Sequence, residues 1–249
     1  MSDSLAIVLA AGKGTRMESD LPKVLVPLAG RPMIDYVLDV LEQTGFAQIL
    51  VVVGYKADLV REALRGRAGV GFVEQTEQLG TGHAVQVCRE QLRTHDGPVL
   101  IVTGDSPLIQ KSSIRELMTY YQDAGPQCIL GTLIKEDPAG LGRIVRDAEG
   151  RFSAVVEEKD ATADQRRINE VNMSTYVFDC QELLWALDRL SNDNQQQEYY
   201  ITDCPGILTR HGKDVRALAV LKPCEALSIN NMADLGDVET ELRKQQCAS

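Results

Sequence analysis

Leu5-Ala6-Ile7-Val8-Leu9-Ala10-Ala11 is an unbroken apolar run, and Gly12-Lys13-Gly14-Thr15-Arg16-Met17 follows it directly. A strand with one face in water alternates apolar and polar residues, whereas a run apolar at every position belongs to a strand buried on both faces. Ile49 to Val53 and Val99 to Val102 repeat the pattern with β-branched enrichment. Between these strands, apolar residues recur at helical spacing: Ile34, Val37, Leu38 and Leu41; Ala84, Val87, Cys88 and Leu92; Ile114, Leu117, Met118 and Tyr121. Each set falls on one helix face. Strands alternating with helices of this length predict βαβ units and right-handed crossovers.

From Gly125 the rhythm changes. Cys128 to Ile134, Arg143 to Arg146 and Phe152 to Glu157 read as short strands, joined by turns such as Asp147-Ala148-Glu149-Gly150, the pattern of antiparallel hairpins. Next come an amphipathic helix near Glu182 to Leu190, a polar loop from Ser191 to Gln197, a strand near Val215 to Val220 and a last helix near Ala233 to Gln246. The expected fold class is α/β: a Rossmann-like, mixed and mostly parallel sheet with helices on both faces. The 249 residues are expected to form one domain.

Composition narrows the function. The 26 Lys and Arg against 36 Asp and Glu give a net charge of -10, a field that repels a nucleic-acid backbone, and there is no basic run to override it. A phosphate ligand would have to be held by local cations, backbone amides and metal. The six cysteines form no C-x-x-C pair and read as reduced thiols. No apolar stretch approaches the roughly 18 residues of a membrane span, and the first residues lack the basic start of a signal peptide. The expectation is a cytoplasmic protein acting on small molecules, with neither nucleic acid nor membrane as partner; the oligomeric state stays open.

Leu9 to Met17 stands after the first strand, where an open α/β sheet places its ligands. The dinucleotide fingerprint requires a third glycine where Met17 stands, and the P-loop spacing is absent. What remains is a glycine turn, Leu9-Ala10-Ala11-Gly12-Lys13-Gly14, whose amides can face a phosphate, with Lys13, Arg16 and Lys23 as cations. A strand-ending turn with solvated Lys and Arg fits Gly-Lys-Gly equally well. Glu74 to Ala84 contains Gln75, Gly80 and Thr81. A Gln amide offers a donor and acceptors that match the edge of a uracil, glycine lets a flat base approach, and Thr81 is alternatively a helix N-cap. His83 fits packing or capping at the helix start better than acid-base chemistry.

Val102-Thr103-Gly104-Asp105-Ser106-Pro107 sets an acid at the end of an apolar strand. Magnesium takes few carboxylates, retained waters and substrate phosphate oxygens, which suits one Asp beside a triphosphate, although an Asp before proline also starts a turn.

Taken together, Leu9 to Met17 with Leu21-Pro22-Lys23 resembles the signature of the sugar nucleotidyltransferases. Glu77 to Ala84 resembles the uridine-binding segment of the bacterial N-acetylglucosamine-1-phosphate uridylyltransferases, and Gly-Asp-x-Pro-Leu-Ile at Gly104 to Ile109 is similar to another of their signatures. Gly140 to Ile144, Val156 to Thr162, Glu170-Val171-Asn172, Glu198 to Asp203 and Ser228 to Asn231 extend the resemblance over roughly Leu5 to Leu242. It implies UTP and N-acetylglucosamine 1-phosphate as substrates, magnesium as cofactor, and UDP-N-acetylglucosamine and pyrophosphate as products. About 1–125 would be the nucleotide-binding half and about 126–249 the sugar-binding half.

Carried over residue by residue, the resemblance implies uracil contacts for Gln75, Gly80 and Thr81, and further substrate contacts for Thr103 and Gly104. It assigns the sugar hydroxyls or acetamido group to the Gly142 backbone, Glu157 and Asn172. Arg16, Lys23 and Asp105 are the expected catalytic residues, and Asp105 and Asn230 the metal ligands, although Asn230 is also a plausible helix cap. Two positions depart from the family pattern: Ser174 stands where a glycine is usual two residues after Asn172, and Thr103 where an aromatic residue is familiar. The β-helical acetyltransferase part of the bifunctional enzymes has no hexapeptide counterpart in this sequence, so acetylated substrate made elsewhere, or a different sugar, is expected.

Overall fold

In the computed structural model the described residues are 3–14, 17, 19–227, 229 and 232–247. In chain order, β1 (Leu5–Leu9) precedes a small hairpin of β2 (Pro27–Leu28) and β3 (Arg31–Pro32). Next come α1 (Met33–Thr44), β4 (Gln48–Val53), α2 (Ala57–Ala63), β5 (Val70–Glu74), α3 (Thr81–Gln86), α4 (Arg89–Arg93), β6 (Pro98–Thr103) and α5 (Lys111–Ala124). The chain continues through β7 (Cys128–Ile134), β8 (Gly142–Arg146), β9 (Phe152–Val156), β10 (Glu170–Asp179), α6 (Cys180–Leu187), α7 (Asp203–Arg210), β11 (Val215–Leu218) and α8 (Met232–Cys247).

One sheet carries these strands in the order β11-β7-β10-β6-β1-β4-β5, with β8 and β9 extending from β10. β1 lies parallel to β4 and β6, and β5 is parallel to β4. The mixed character comes from β10, which runs antiparallel to β6 on one side and β7 on the other. The position of β1 inside the sheet, between β6 and β4, explains its apolar run. Ala6 and Val8 pack with Ile34, Leu38 and Ile114, whereas Leu5 and Ile7 pack on the other face with Val85, Cys88 and Leu92. Both faces of β1 are therefore dry, and no polar alternation is tolerated there.

Local chemistry sets the element ends. Gly45 closes α1 at φ 95, and the Phe46 N–H returns to the Leu41 carbonyl oxygen, a left-handed stop that favours glycine. The turn joining β8 and β9 is held by Asp147, whose Oδ1 accepts from the Glu149 and Arg151 N–H groups. Helix α6 starts at Cys180, earlier than the apolar period indicates, because the Asp179 carboxylate accepts from the Gln181 and Glu182 N–H groups. The expected helix through Ala84 and Leu92 is two short helices, α3 and α4, with Ala84, Cys88 and Leu92 still buried.

Ser174 shows what its departure from glycine means. It stands at φ 53 inside β10, at the register shift between Asn172 and Thr175, where two extra residues bulge out of the pairing with β7. A left-handed conformation costs an L-residue about 1–2 kcal/mol, and more when it is β-branched. Ser174→Val is accordingly expected to lower stability by about 1–2 kcal/mol, and Ser174→Gly to hold it within about 1 kcal/mol of the parent. Denaturant unfolding of the two variants measures the gap. Equal stabilities would contradict this backbone conformation.

Among the described cysteines none is in a disulfide, and Cys88, Cys128, Cys180 and Cys204 are buried. No helix among the described residues is long and apolar enough to cross a membrane.

Candidate functional site

A pocket of about 290 Å³ is lined by Leu9, Ala11, Gly12, Gln75, Gln78, Gly80, Thr81, Ala84, Thr103, Asp105 and Glu198. It opens at the carboxyl ends of β1, β5 and β6, where a doubly covered α/β sheet leaves backbone and loop groups free for a ligand. A larger cavity, about 740 Å³, lies at the other end of the sheet among Asp3, Gln48, Gly69, His95 and Gly97. None of the residues singled out for chemistry lines it.

The floor of the pocket is the glycine turn. Tyr55 N–H and Gln78 Nε2 both donate to the Ala11 carbonyl oxygen, at 3.1 and 3.0 Å, and so fix the point where the chain leaves β1. Gly14 has φ 66, and a Cβ on it would fall 2.7 Å from Cβ of Lys23, so the turn brings the Lys23 backbone against the loop. Lys23 begins a 3-10 turn whose next residues, Val24 and Leu25, are buried as anchors. Its ammonium reaches Asp105 Oδ2 at 2.5 Å, with Lys23 14% and Asp105 26% exposed. A cation and a carboxylate thus meet at the pocket wall beside the phosphate-loop candidate. Lys13 is arranged differently: it is exposed, with its ammonium 5.4 Å from the centroid of the Tyr55 ring. Arg16 and Asn230 lie outside the described residues.

The second wall is the segment from Gln75 to Thr81. Gly80 has φ 107, and a Cβ there would meet the Tyr199 carbonyl oxygen at 2.5 Å, so only glycine fits. Tyr199 brackets this segment, its N–H donating to Leu79 O at 2.8 Å and its carbonyl oxygen accepting from Gly82 N–H at 2.7 Å. Thr81 is not the N-cap. Gly80 takes that place, and the Thr81 hydroxyl accepts from the Ile201 N–H at 3.1 Å. Tyr199 and Ile201 therefore brace this wall from the second half of the chain. Thr103 lines the same pocket, with its hydroxyl 2.7 Å from that of Ser106. Gly104 N–H donates to Leu9 O at 2.9 Å, which joins the Asp105 turn to the end of β1.

Gly142, Glu157 and Asn172 also come together, but apart from the pocket lining. Gly142 and Asn172 are partners across β8 and β10, and a Cβ on Gly142 would lie 3.5 Å from Oε2 of Glu157 and 3.6 Å from Cβ of Asn172. Burial pushes the Glu157 carboxyl above the usual range, against a hydrogen bond from the Thr202 hydroxyl at 2.9 Å. Asn172 is 6% exposed; its Nδ2 donates to the Tyr176 hydroxyl at 2.7 Å, and its Oδ1 accepts from Ser174 N–H at 3.3 Å. Its amide already serves the bulge at Ser174, a task that the sequence did not reveal.

Two residues of the pocket lining, and one buried carboxylate outside it, were not singled out in the sequence reading. Gln78 and Glu198 line the pocket, and the Gln-x-x-Gln spacing that brought out Gln75 is the signal that also contains Gln78. Glu225 is 5% exposed and accepts from Gln110 N–H, Ser113 Oγ and Lys222 N–H at 3.0, 2.6 and 2.7 Å. A buried carboxylate is tolerated when its lone pairs are filled in this way. Glu225 thereby ties the segment before Asn230 to the start of α5, the helix that follows the Asp105 turn. Nothing in the local sequence marks it.

Residues 6–168 match the family described as the MobA-like NTP transferase domain, and the chain belongs to that family. It is 40% identical over 240 residues to the bifunctional protein GlmU of Clostridium acetobutylicum, covering 96% of this chain and 52% of the relative. The corresponding protein of Enterococcus faecalis is 41% identical over 235 residues, covering 94% of this chain and 51% of the relative. The chain thus spans about half the length of the curated relatives it matches. A crystal structure of UDP-glucose pyrophosphorylase complexed with UDP-glucose superposes with a TM-score of 0.80 at 17% identity, over 98% of this chain and 100% of that one. That likeness establishes the nucleotide-diphospho-sugar transferase type of fold.

Proposed function

We propose that the chain transfers a uridylyl group from UTP to a sugar 1-phosphate, with N-acetylglucosamine 1-phosphate as the first-choice acceptor. UDP-N-acetylglucosamine and pyrophosphate are then the products. The reading is carried by the pocket that unites the glycine turn, the Gln75 to Thr81 segment and the Lys23–Asp105 pair. The 40% identity to GlmU proteins over nearly the whole chain supports the same choice. In the proposed division of labour, residues of about 1–125 hold the nucleotide and residues of about 126–249 hold the sugar, with Gly142, Glu157 and Asn172 on the sugar side. Thr103 and Ser174, at positions that differ from the family pattern, favour a related sugar phosphate as the second reading.

The phosphate of the acceptor has its second pKa near ~6, so it is largely ionised at neutral pH and needs no general base. Its oxygen attacks the α-phosphorus of UTP, a new P–O bond forms, and the bond to the β-phosphate breaks with its electron pair leaving on pyrophosphate. What the protein contributes is alignment and charge. The amides of Ala11 to Gly14 and the Lys23 ammonium lie where a triphosphate would cross the carboxyl end of β1, and Arg16 is assigned to the departing pyrophosphate. Magnesium fits the donor set, because Asp105, one of two carboxylates in the pocket lining and the one paired with Lys23, leaves room for waters and phosphate oxygens, with Asn230 as the second proposed ligand. When bound, it supplies charge neutralisation at the phosphate oxygens.

Base selection is the discriminating test. Cytosine replaces a uracil acceptor with an amino donor and the adjacent ring N–H with an acceptor, and each unsatisfied buried group costs about 1–3 kcal/mol. UTP should exceed CTP at least tenfold in kcat/KM, and Gln75→Ala should narrow the ratio chiefly by raising KM for UTP. Steady-state pyrophosphate release with both nucleotides measures this. Equal use of CTP by the parent protein would contradict the uridine assignment.

A further inference from the structure

Gln75 is 4% exposed and sits in the pocket wall just beyond β5. Its Nε2 lies 3.0 Å from the Gly80 carbonyl oxygen and 3.1 Å from Nδ1 of His83. A carbonyl oxygen can only accept, so the end of the amide facing Gly80 is the NH2 group; the opposite orientation would set two oxygens against each other. One amide hydrogen goes to Gly80. The other points at His83 Nδ1, which accepts it and so carries its own ring proton on Nε2. Both Gln75 donors are then consumed inside the protein. Its Oε1 accepts no hydrogen bond among the described residues, yet is not sealed off, and is left to face the pocket.

We propose that His83 is a positioning residue for base selection: by accepting from Gln75 Nε2 it holds the amide with Oε1 toward the base. A pocket so arranged takes a ring N–H, as uracil and thymine present, and refuses the ring acceptor of cytosine. The inference rests on the uridylyl reading above and assigns the selectivity to a residue that does not itself touch the base. Without an acceptor at position 83, one Gln75 hydrogen loses its partner. The amide is then held by the Gly80 carbonyl oxygen alone, so turning it costs less than in the parent, and the turned amide offers N–H to the pocket, which suits cytosine N3.

The test compares the full-length protein with His83→Ala and His83→Asn, using UTP, CTP and dTTP at saturating sugar phosphate and magnesium. The Asn side-chain oxygen can stand where Nδ1 stood. His83→Ala should reduce the UTP:CTP ratio of kcat/KM by about tenfold, through KM for UTP with kcat little changed. His83→Asn should keep the ratio within about threefold of the parent, because an acceptor remains. If His83→Ala slows both nucleotides alike and leaves the ratio intact, its role is packing alone and the proposal is overturned. A parent protein with no preference for UTP would instead sink the uridylyl reading. Nitrogen-15 NMR of the unmodified protein tests the His83–Gln75 hydrogen bond directly, including where a variant does not fold. The proton should reside on His83 Nε2, and a proton on Nδ1 would overturn the assignment.

Discussion

Asp105→Ala is expected to lower turnover a hundredfold or more while the chain stays folded. Asp105 sits in the turn after β6, 26% exposed, and its carboxylate pairs with the Lys23 ammonium. Its removal therefore takes charge from the pocket wall without emptying a packed site. Loss of one electrostatic contact to the reacting groups typically costs about 3–4 kcal/mol of transition-state stabilisation, which is the factor expected here. Asp105→Asn should fall nearly as far, since it keeps the shape and loses the charge. Chelating magnesium should reproduce the defect in the parent protein and add little to it in Asp105→Ala. Near-normal turnover of the alanine variant with magnesium present would remove Asp105 from the proposed metal site.

Lys23→Ala should be almost as severe, and Lys23→Arg should not rescue it. The ammonium is held by a short turn between the glycine loop and Asp105, with 14% of the side chain exposed. A planar guanidinium in the same space cannot place one compact charge against Asp105 and a phosphate together. Losses of about a hundredfold are expected for both variants. Lys13→Ala is the contrast. Its ammonium is exposed over the Tyr55 ring, an arrangement worth about 0.5–1 kcal/mol, and the loss should stay below about tenfold. Similar losses at Lys13 and Lys23, measured as kcat/KM for UTP, would contradict this ranking.

The sheet was readable because β1, Ile49 to Val53 of β4 and Val99 to Val102 of β6 are apolar at every position, and only a strand covered on both faces demands that. The element hardest to read was β10, the longest strand and the one that makes the sheet mixed. Its first part, Glu170-Val171-Asn172-Met173-Ser174, alternates irregularly because it runs into the bulge at Ser174, which breaks the period of two. Likewise α7 was hidden by Pro205 and Gly206 in its interior.

The pocket was legible where one short segment carries several of its groups, as with Gln75 to Thr81. It was illegible where the partner is distant in sequence. Tyr199 against Gly80 and Glu225 against Gln110 are matters of tertiary placement. No local pattern distinguishes a buried, fully bonded Glu225 from a solvated one.

The measurement that bears most directly on the uridylyltransferase reading is pyrophosphate release by the purified protein from UTP, with magnesium, across a panel of sugar 1-phosphates. Release that depends on N-acetylglucosamine 1-phosphate, with UDP-N-acetylglucosamine recovered in equal amount, is the expected result. Absence of release with every sugar phosphate of the panel, from a protein that is folded and binds UTP, would contradict it.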